Sequence, residues 1–515
     1  CSGEAHWRNR RDGQPFFSVF NFMDSHQSRT MTKPWRWYEQ FVLAELPDDQ
    51  IVHGDEIEVP PFYRDSADMR RYLSRVHNSL RLCDLRIAER LDELRADGLM
   101  EDTIIFCFAD HGEGIPRGKA NGIGMGYRAP FVLWLPPNYA HLAPWAQPEV
   151  TDELISFEDM APTVLGLAGL DAPPHMTGRC LLGERRRPPR HYVYASRNRI
   201  DDTPDLCRSV MDGRFVYTRN YFPHLPVVKY EKYFDVGDIT RTIRRDYRHG
   251  ELNDVQAELV EPARPTEYLY DIDADPWEIE NLAGRPEHAD DLRRLRDAAL
   301  ARMRDIGDVM FLPEGEMLAR SGHATPCDLR DDAERNPQDE LARAAALVGG
   351  GDEVLDEQVK LLSHADPAVR YWAAVGLFAA RDRLGARRDA LRPALDDEAA
   401  FVRVEAAAAL YAATRDADAK AVLEAHIADD DPFIAHQAVQ KALYMPDVAG
   451  DFADVVARQQ ARFTGDEKVT GMSYPYQQAL DMFLHVHCGR PLFYAGNEPW
   501  LDPAHTAEQG REGGT

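Results

Sequence analysis

The chain has 515 residues, 44% hydrophobic and 29% charged, the composition of a soluble globular protein that is too long for one core and predicts about two to four domains. A formal net charge of -27 argues against a nucleic-acid partner, because phosphate binding needs a basic face and carboxylates repel the backbone. No run reaches the roughly 18 apolar residues of a membrane span, and seven cysteines without metal-finger spacing leave the redox compartment open.

No charged start with a short apolar stretch behind it reads as a signal peptide. The sequence opens at Cys1-Ser2-Gly3, and a core strand follows so soon that the start reads as mid-domain rather than as the mature end of a lipoprotein. That strand is Pro15 to Phe22 (PFFSVFNF); Thr103 to Phe108 (TIIFCF) and Pro130 to Leu135 (PFVLWL) are two more apolar runs, of the kind buried on both faces of a sheet. Between the first two lies a helix with Leu80, Ile87, Leu91 and Leu94 on its apolar stripe, ended by Asp97-Gly98. Strand, helix and strand in this order predict a βαβ crossover and a parallel sheet. A second region, 191–312, has short strand-like pieces at His191 to Ala195, Arg214 to Thr218 and Glu267 to Ile272, then an amphipathic helix from Glu287 to Ile306. It reads as a smaller antiparallel subdomain, followed by a polar linker over 313–336.

From 337 to 463 the composition turns to alanine-rich helix. Leu362 and Val369, Leu395 and Val402, and Ile427 and Ile434 share one internal spacing, each pair followed by Ala373, Ala406 or Ala438, with periods of 33 and 32. Asp366-Pro367 recurs as Asp431-Pro432, a turn and helix start in each case. Helix pairs of this period stack as a solenoid resembling HEAT repeats and offer a surface to a protein partner. The remainder, 464–515, reads as a helix and a disordered polar tail from about Pro503.

The densest chemistry lies in Phe106-Cys107-Phe108-Ala109-Asp110-His111-Gly112, where a carboxylate and an imidazole follow a predicted strand, the place where open α/β sheets put ligands. Lys119 follows in the glycine-rich Arg117-Gly118-Lys119, and His26 follows the first strand in Asp24-Ser25-His26. Together these four residues suggest an anion site beside a cation.

These stretches resemble the type I sulfatases of the alkaline-phosphatase-like superfamily. The likeness runs from about Trp7 to Leu312 and includes the Pro15 to His26 segment, Asp102 to Phe106 with Asp110-His111-Gly112, Gly118-Lys119, and Glu267-Tyr268-Leu269-Tyr270-Asp271-Ile272 with Asp275-Pro276-Trp277-Glu278 and Asn281-Leu282. The resemblance implies an α/β domain over 1–190 with a mostly parallel sheet, incomplete at its amino end, and places the antiparallel subdomain behind it. It also implies sulfate-ester hydrolysis, on a sulfated small molecule or glycan, by a periplasmic or secreted protein. Asp110 and His111 would bind a divalent cation, calcium by family, with the carboxylate the harder and better ligand. Lys119 and His26 would contact the sulfate, and Arg197, Asn198 and Arg199 would touch substrate at the pocket rim. Two features depart from the pattern. Ala120 to Met125 (ANGIGM) stands where aromatic and acidic residues are usual, and no cysteine or serine carries the C/S-x-P/A-x-R motif that becomes formylglycine. The early Asp-Asp metal pair is missing too, so the sequence reads as a fragment, inactive by itself. A phosphodiesterase or phosphonate hydrolase of the same superfamily, and a non-catalytic scaffold, are the alternatives.

Overall fold

A computed structural model describes residues 6–145, 150–463 and 469–492; the opening Cys1-Ser2-Gly3 and the tail from Pro503 lie outside them. The chain forms two compact units, one of Cys1–Val59 with Asp65–Thr103 and one of Pro60–Arg64 with Ile104–Thr515. The first is organised by the predicted helix, Ala67–Ala96, whose Ser66 side chain accepts the amide of Met69 and whose end is marked by Gly98 at φ +70. Its buried face carries Met69, Tyr72, Leu73, Leu82 and Leu94, while Leu80 turns outward, so the apolar stripe sits to one side of the predicted one. Trp7 Nε1 and Arg8 Nε both donate to Asp97 Oδ2 at 2.7 Å, fastening the start of the chain to the helix end.

Residues 15–22, predicted as a strand buried on both faces, form no ladder in this unit. Phe17 is 74% exposed and Val19 is exposed too, while Phe16 and Phe20 turn back onto Trp7. A parallel strand needs a neighbour on each side and cover on both faces, and this stretch has neither among the described residues.

In the second unit, β1 (Ile105–Phe108) pairs antiparallel with β2 (Phe131–Trp134), so the parallel pairing expected of the crossover is not made among the described residues. The glycine-rich segment between these strands, 109–130, folds back on itself through close backbone contacts and returns the chain antiparallel. Phe108, Val132 and Trp134 are exposed on this ribbon.

The antiparallel subdomain is a four-stranded sheet in the order β3 (Val193–Arg197), β4 (Cys207–Met211), β5 (Phe215–Asn220) and β6 (Glu267–Asp271). Alternation of side chains gives it two jobs. Val210, Phe215, Tyr217 and Leu269 pack under Leu292, Leu295 and Ala299 of helix Ala289–Asp305, while Tyr268 and Tyr270 cluster with Ile123 of the glycine-rich loop. That second face is the floor on which the loop of Lys119 lies.

The stretch read as a linker is structured. Helix Glu314–Ser321 buries Met317 in a cluster with Phe311, Leu329, Leu341 and Trp372, because its few apolar residues fall on one side. Behind it stand helices Gln338–Ala346, Leu355–Leu361, Pro367–Ala379, Ala400–Thr414, Ala417–Ile427 and Pro432–Leu443. The predicted repeat positions Val369, Val402 and Ile434 are buried, and Ala373, Ala406 and Ala438 are fully so. Among the described residues no helix is long and apolar enough to cross a membrane.

Candidate active site

Strand β1 delivers Asp110 and His111 just past its carboxyl end. The Asp110 side chain is 88% exposed, with Oδ1 3.6 Å from His111 Nε2, and the other imidazole nitrogen, Nδ1, lies 2.6 Å from the carbonyl oxygen of Gly112. A carbonyl can only accept, so Nδ1 carries the proton and Nε2 presents a lone pair beside the carboxylate. This is how metal-binding histidines are usually held, one nitrogen donating to a carbonyl and the other turned to the ion. The two side chains therefore fit a divalent cation as two of its ligands. Among the described residues no group of three or more His, Cys, Asp or Glu side chains is placed to hold a metal.

The loop that follows is built by close backbone contact. A Cβ on Gly112 would meet the Met125 carbonyl oxygen at 2.2 Å, and one on Gly118 would meet that of Glu113 at 2.2 Å. Only glycine lets the loop fold this tightly, and the backbone N–H of Lys119 then donates to Glu113 O at 2.6 Å. On either side of Lys119, Arg117 and Ala120 adopt φ of +76 and +65, left-handed conformations that cost non-glycine residues roughly 1–3 kcal/mol each and gather at functional sites. Lys119 is half-buried, and its ammonium makes no ion pair among the described residues.

The strain is carried by Arg117. Its guanidinium donates to Trp277 O at 2.7 Å and to Glu278 O, and it lies 4.7 Å from the Phe62 ring centroid. Glu278 is fully buried, accepts the Met125 N–H at 3.3 Å and pairs with Arg128 at 3.0 Å; burial pushes its carboxyl above the ordinary value, against the pull of Arg128 and Arg117. The Asp275-Pro276-Trp277-Glu278 motif is thus the clasp of the lysine loop. Sequence reading noticed the motif but gave Arg117 and Glu278 no role.

His26 belongs to the first unit, where the Ser28 backbone N–H donates to its Nδ1 at 3.1 Å and Ser28 Oγ lies 2.8 Å away. An Nδ1 that accepts leaves the proton of the neutral ring on Nε2. The two histidines are therefore held as opposite tautomers, His111 with its proton on Nδ1 and His26 with its proton on Nε2.

The three residues predicted to touch substrate have other partners. Arg197 is buried and pairs with Asp205 at 2.8 Å, because the strand end that carries it is covered rather than open. Asn198 Oδ1 accepts from Arg208 at 3.1 Å, and Arg199 grips Glu314 with two bonds of 2.6 and 2.7 Å. Sequence reading missed the centre behind Arg197, where Asp205 also meets Lys229 at 2.7 Å and Arg264 at 2.5 Å. Burial alone would raise the Asp205 carboxyl, but Arg264, Lys229 and Arg197 hold it below the usual carboxylate range. Burial, then Arg264, pushes the Lys229 ammonium down to about 7.

The Sulfatase model matches residues 5–170, and the HEAT repeats model matches residues 355–443. An ulvan-active sulfatase of Formosa agariphila is 32% identical over 342 residues, 61% of this chain and 56% of its own length. The first 170 residues of the chain thus resemble sulfatases, and its repeat region resembles HEAT repeats. The N-sulphoglucosamine sulphohydrolase of Homo sapiens is 26% identical over 56% of this chain and 60% of its own length, and the Arylsulfatase of Clostridium perfringens is 23% identical over 38% and 43%. The chain thus spans little more than half the length of the first two relatives.

Proposed function

We propose that this chain belongs to the sulfatase family and supplies part of the active site of a sulfuric ester hydrolase acting on a sulfated carbohydrate. The observation that carries the reading is Asp110 beside the Nε2 of His111, next to a lysine on a strained, clasped loop that makes no ion pair among the described residues. Asp110 and His111 would hold a calcium ion, which when bound supplies positive charge to the sulfate oxygens. Lys119 neutralises the charge that grows on those oxygens as the ester bond breaks, and the Nε2 proton of His26 goes to the departing alcohol oxygen. The carbohydrate class follows the names of the two relatives, which act on ulvan and on N-sulphoglucosamine, and a periplasmic or secreted site of action goes with it. The nucleophile is a formylglycine, and the 515-residue chain, whose sequence lacks the motif for it, is expected to leave sulfate esters intact by itself.

The test is hydrolysis of a sulfated oligosaccharide by the protein expressed in a host that makes formylglycine. Lys119→Ala should lower kcat on the order of 10²–10³-fold, the usual loss of one preorganised charge-stabilising group. Asp110→Ala should abolish the response of activity to added calcium. Preferential hydrolysis of a phosphate diester, or a Lys119→Ala variant as fast as wild type, would overturn the reading.

A further inference from the structure

A hollow of about 510 Å³ lies in the first unit, which supplies all of its lining residues. It is lined by Trp35 of helix Trp35–Phe41, by segment 51–55 and by the first turns of helix Ala67–Ala96. Its volume is in the range of small-molecule sites. The walls are fixed from behind. Asn78 holds Val52 through both backbone groups, its Oδ1 accepting the N–H at 2.8 Å and its Nδ2 donating to the carbonyl at 2.9 Å. The same Nδ2 donates to Tyr38 Oη at 2.9 Å, and Arg70 Nη1 donates to Ile57 O at 2.6 Å. The hollow is therefore formed before any ligand arrives, which spares binding the entropy of ordering it.

The groups offered to a ligand are accessible. Trp35, Leu43, Ile51 and Val52 are half-buried, and Ala67 and Arg71 are exposed. The guanidinium carbon of Arg71 lies 3.9 Å from the Trp35 ring centroid, a stacking distance, and the group makes no ion pair or hydrogen bond among the described residues. A guanidinium on an aromatic face keeps its N–H groups in its own plane, so the indole holds the cation in place and leaves its donors open. Arg70, the other cation of the lining, is closed, because Asp65 takes its Nε at 2.5 Å and its Nη2 at 2.6 Å. His53 and Asp55 are also exposed at the hollow, Asp55 being the one carboxylate of the lining.

One open cation beside an apolar wall selects its ligand. An uncharged apolar molecule would leave the guanidinium without a partner, and a dianion would need a second free cation that the lining lacks. A carboxylate carries one charge, and its two coplanar oxygens match the parallel N–H pair of a guanidinium. We infer that the hollow binds a monovalent carboxylate carried on a flat apolar body, the carboxylate on Arg71 and the body against Leu43, Ile51 and Val52. The inference rests on the first unit and does not depend on the sulfatase reading.

The test is isothermal titration of the full chain with 2-naphthoate at low salt, where a Kd of millimolar or tighter is expected. Two further probes divide the ligand: 2-naphthamide keeps the body and loses the charge, and acetate keeps the charge and loses the body. Each should bind at least tenfold more weakly. Arg71→Gln changes an exposed side chain, so Tm should hold while naphthoate affinity falls at least tenfold. Ala67→Trp, also at an exposed position, should fill the hollow with the same loss and serves if the first variant does not fold. Asp55→Asn removes the one carboxylate of the lining and should bind naphthoate at least as tightly as wild type. The proposal is overturned if naphthoate does not bind, if the amide or acetate binds as well, if a folded Arg71 or Ala67 variant binds like wild type, or if Asp55→Asn weakens binding.

Discussion

The antiparallel subdomain and the helical repeats, joined in one unit, are stabilised in opposite ways. In the sheet the interior is charged, with Asp205 fully buried among Arg197, Lys229 and Arg264, and Arg208 gripping Asp308 at 2.5 and 3.0 Å. In the repeats the interior is mainly alanine, valine and leucine, with the buried Glu405 paired to Lys441 at 2.8 Å, and carboxylates such as Asp366, Asp416 and Asp431 sit at helix starts. A buried ion cluster is all or nothing, since its members have paid for desolvation and depend on one another. A stack of helices is closer to a sum of small independent increments. Substitutions at the buried cluster of the sheet should therefore cost much, and those at the helix-start carboxylates of the repeats little.

The largest effect is expected at the centre of the sheet. Asp205→Ala strands three buried cations, and breaking a buried ion pair from one side costs about 3–5 kcal/mol. Urea denaturation of the full chain should show the midpoint falling by that equivalent, or no folded protein at all. A loss below about 1 kcal/mol, the median for exposed pairs, would break the contrast.

A second test moves in the opposite direction. Asp202 is fully buried and neither carboxyl oxygen receives a well-formed hydrogen bond. Burial, and then Asp201, raises its pKa to about 8 from 3.8. Between those values the folded state keeps a proton that the unfolded state has released, so the contribution of this group to stability declines as pH rises from about 4 to 8. Asp202→Asn does not titrate, and should stabilise by an amount that grows across this window to about 1–3 kcal/mol, the usual cost of a buried unmet polar group. His436, whose pKa burial lowers to about 4, adds the opposite slope below 6.5 but is present in both proteins, so the difference isolates Asp202. A variant equal to wild type at pH 5 and pH 8 would show that the carboxyl is satisfied.

The sequence made the repeats legible and the charged sheet opaque, for the same physical reason. Val369, Val402 and Ile434 announce themselves by period, because each unit solves the same packing problem. The Asp205 cluster draws on positions 197, 229 and 264, with no local pattern to link them. Strand β4 was missed because Arg208 and Ser209 are buried by pairing, with Asp308 and with Thr218 at 2.7 Å, rather than by hydrophobicity. Helix Asp238–Arg248 was missed because its sequence reads as polar apart from Ile239 and Ile243. In the candidate site, Asp110, His111 and Lys119 were visible as a motif, whereas the clasp of Arg117 on Trp277 and Glu278 spans about 160 positions and has no signature along the chain.

The smallest expected effect lies at the repeated Asp-Pro caps, and their differing surroundings make it a sharp measurement. Asp366 accepts the Ala368 N–H at 2.7 Å, and Asp431 accepts that of Phe433 at 2.9 Å, each with proline at the first helical position. Each carboxylate satisfies an amide that the helix itself leaves open and lies at the positive end of the peptide dipoles. Removing such a cap costs typically about 1 kcal/mol, which is the loss expected of Asp431→Ala. Asp366 does more, since both its oxygens also receive Arg320 at 2.9 Å, from the helix in front of the repeats. Asp366→Ala should therefore cost more than Asp431→Ala, and Arg320→Met should narrow the gap between them. Equal costs in the wild-type background would mean that Arg320 adds nothing to its cap, and a larger cost at Asp431 would show that the repeats do not respond as independent local increments.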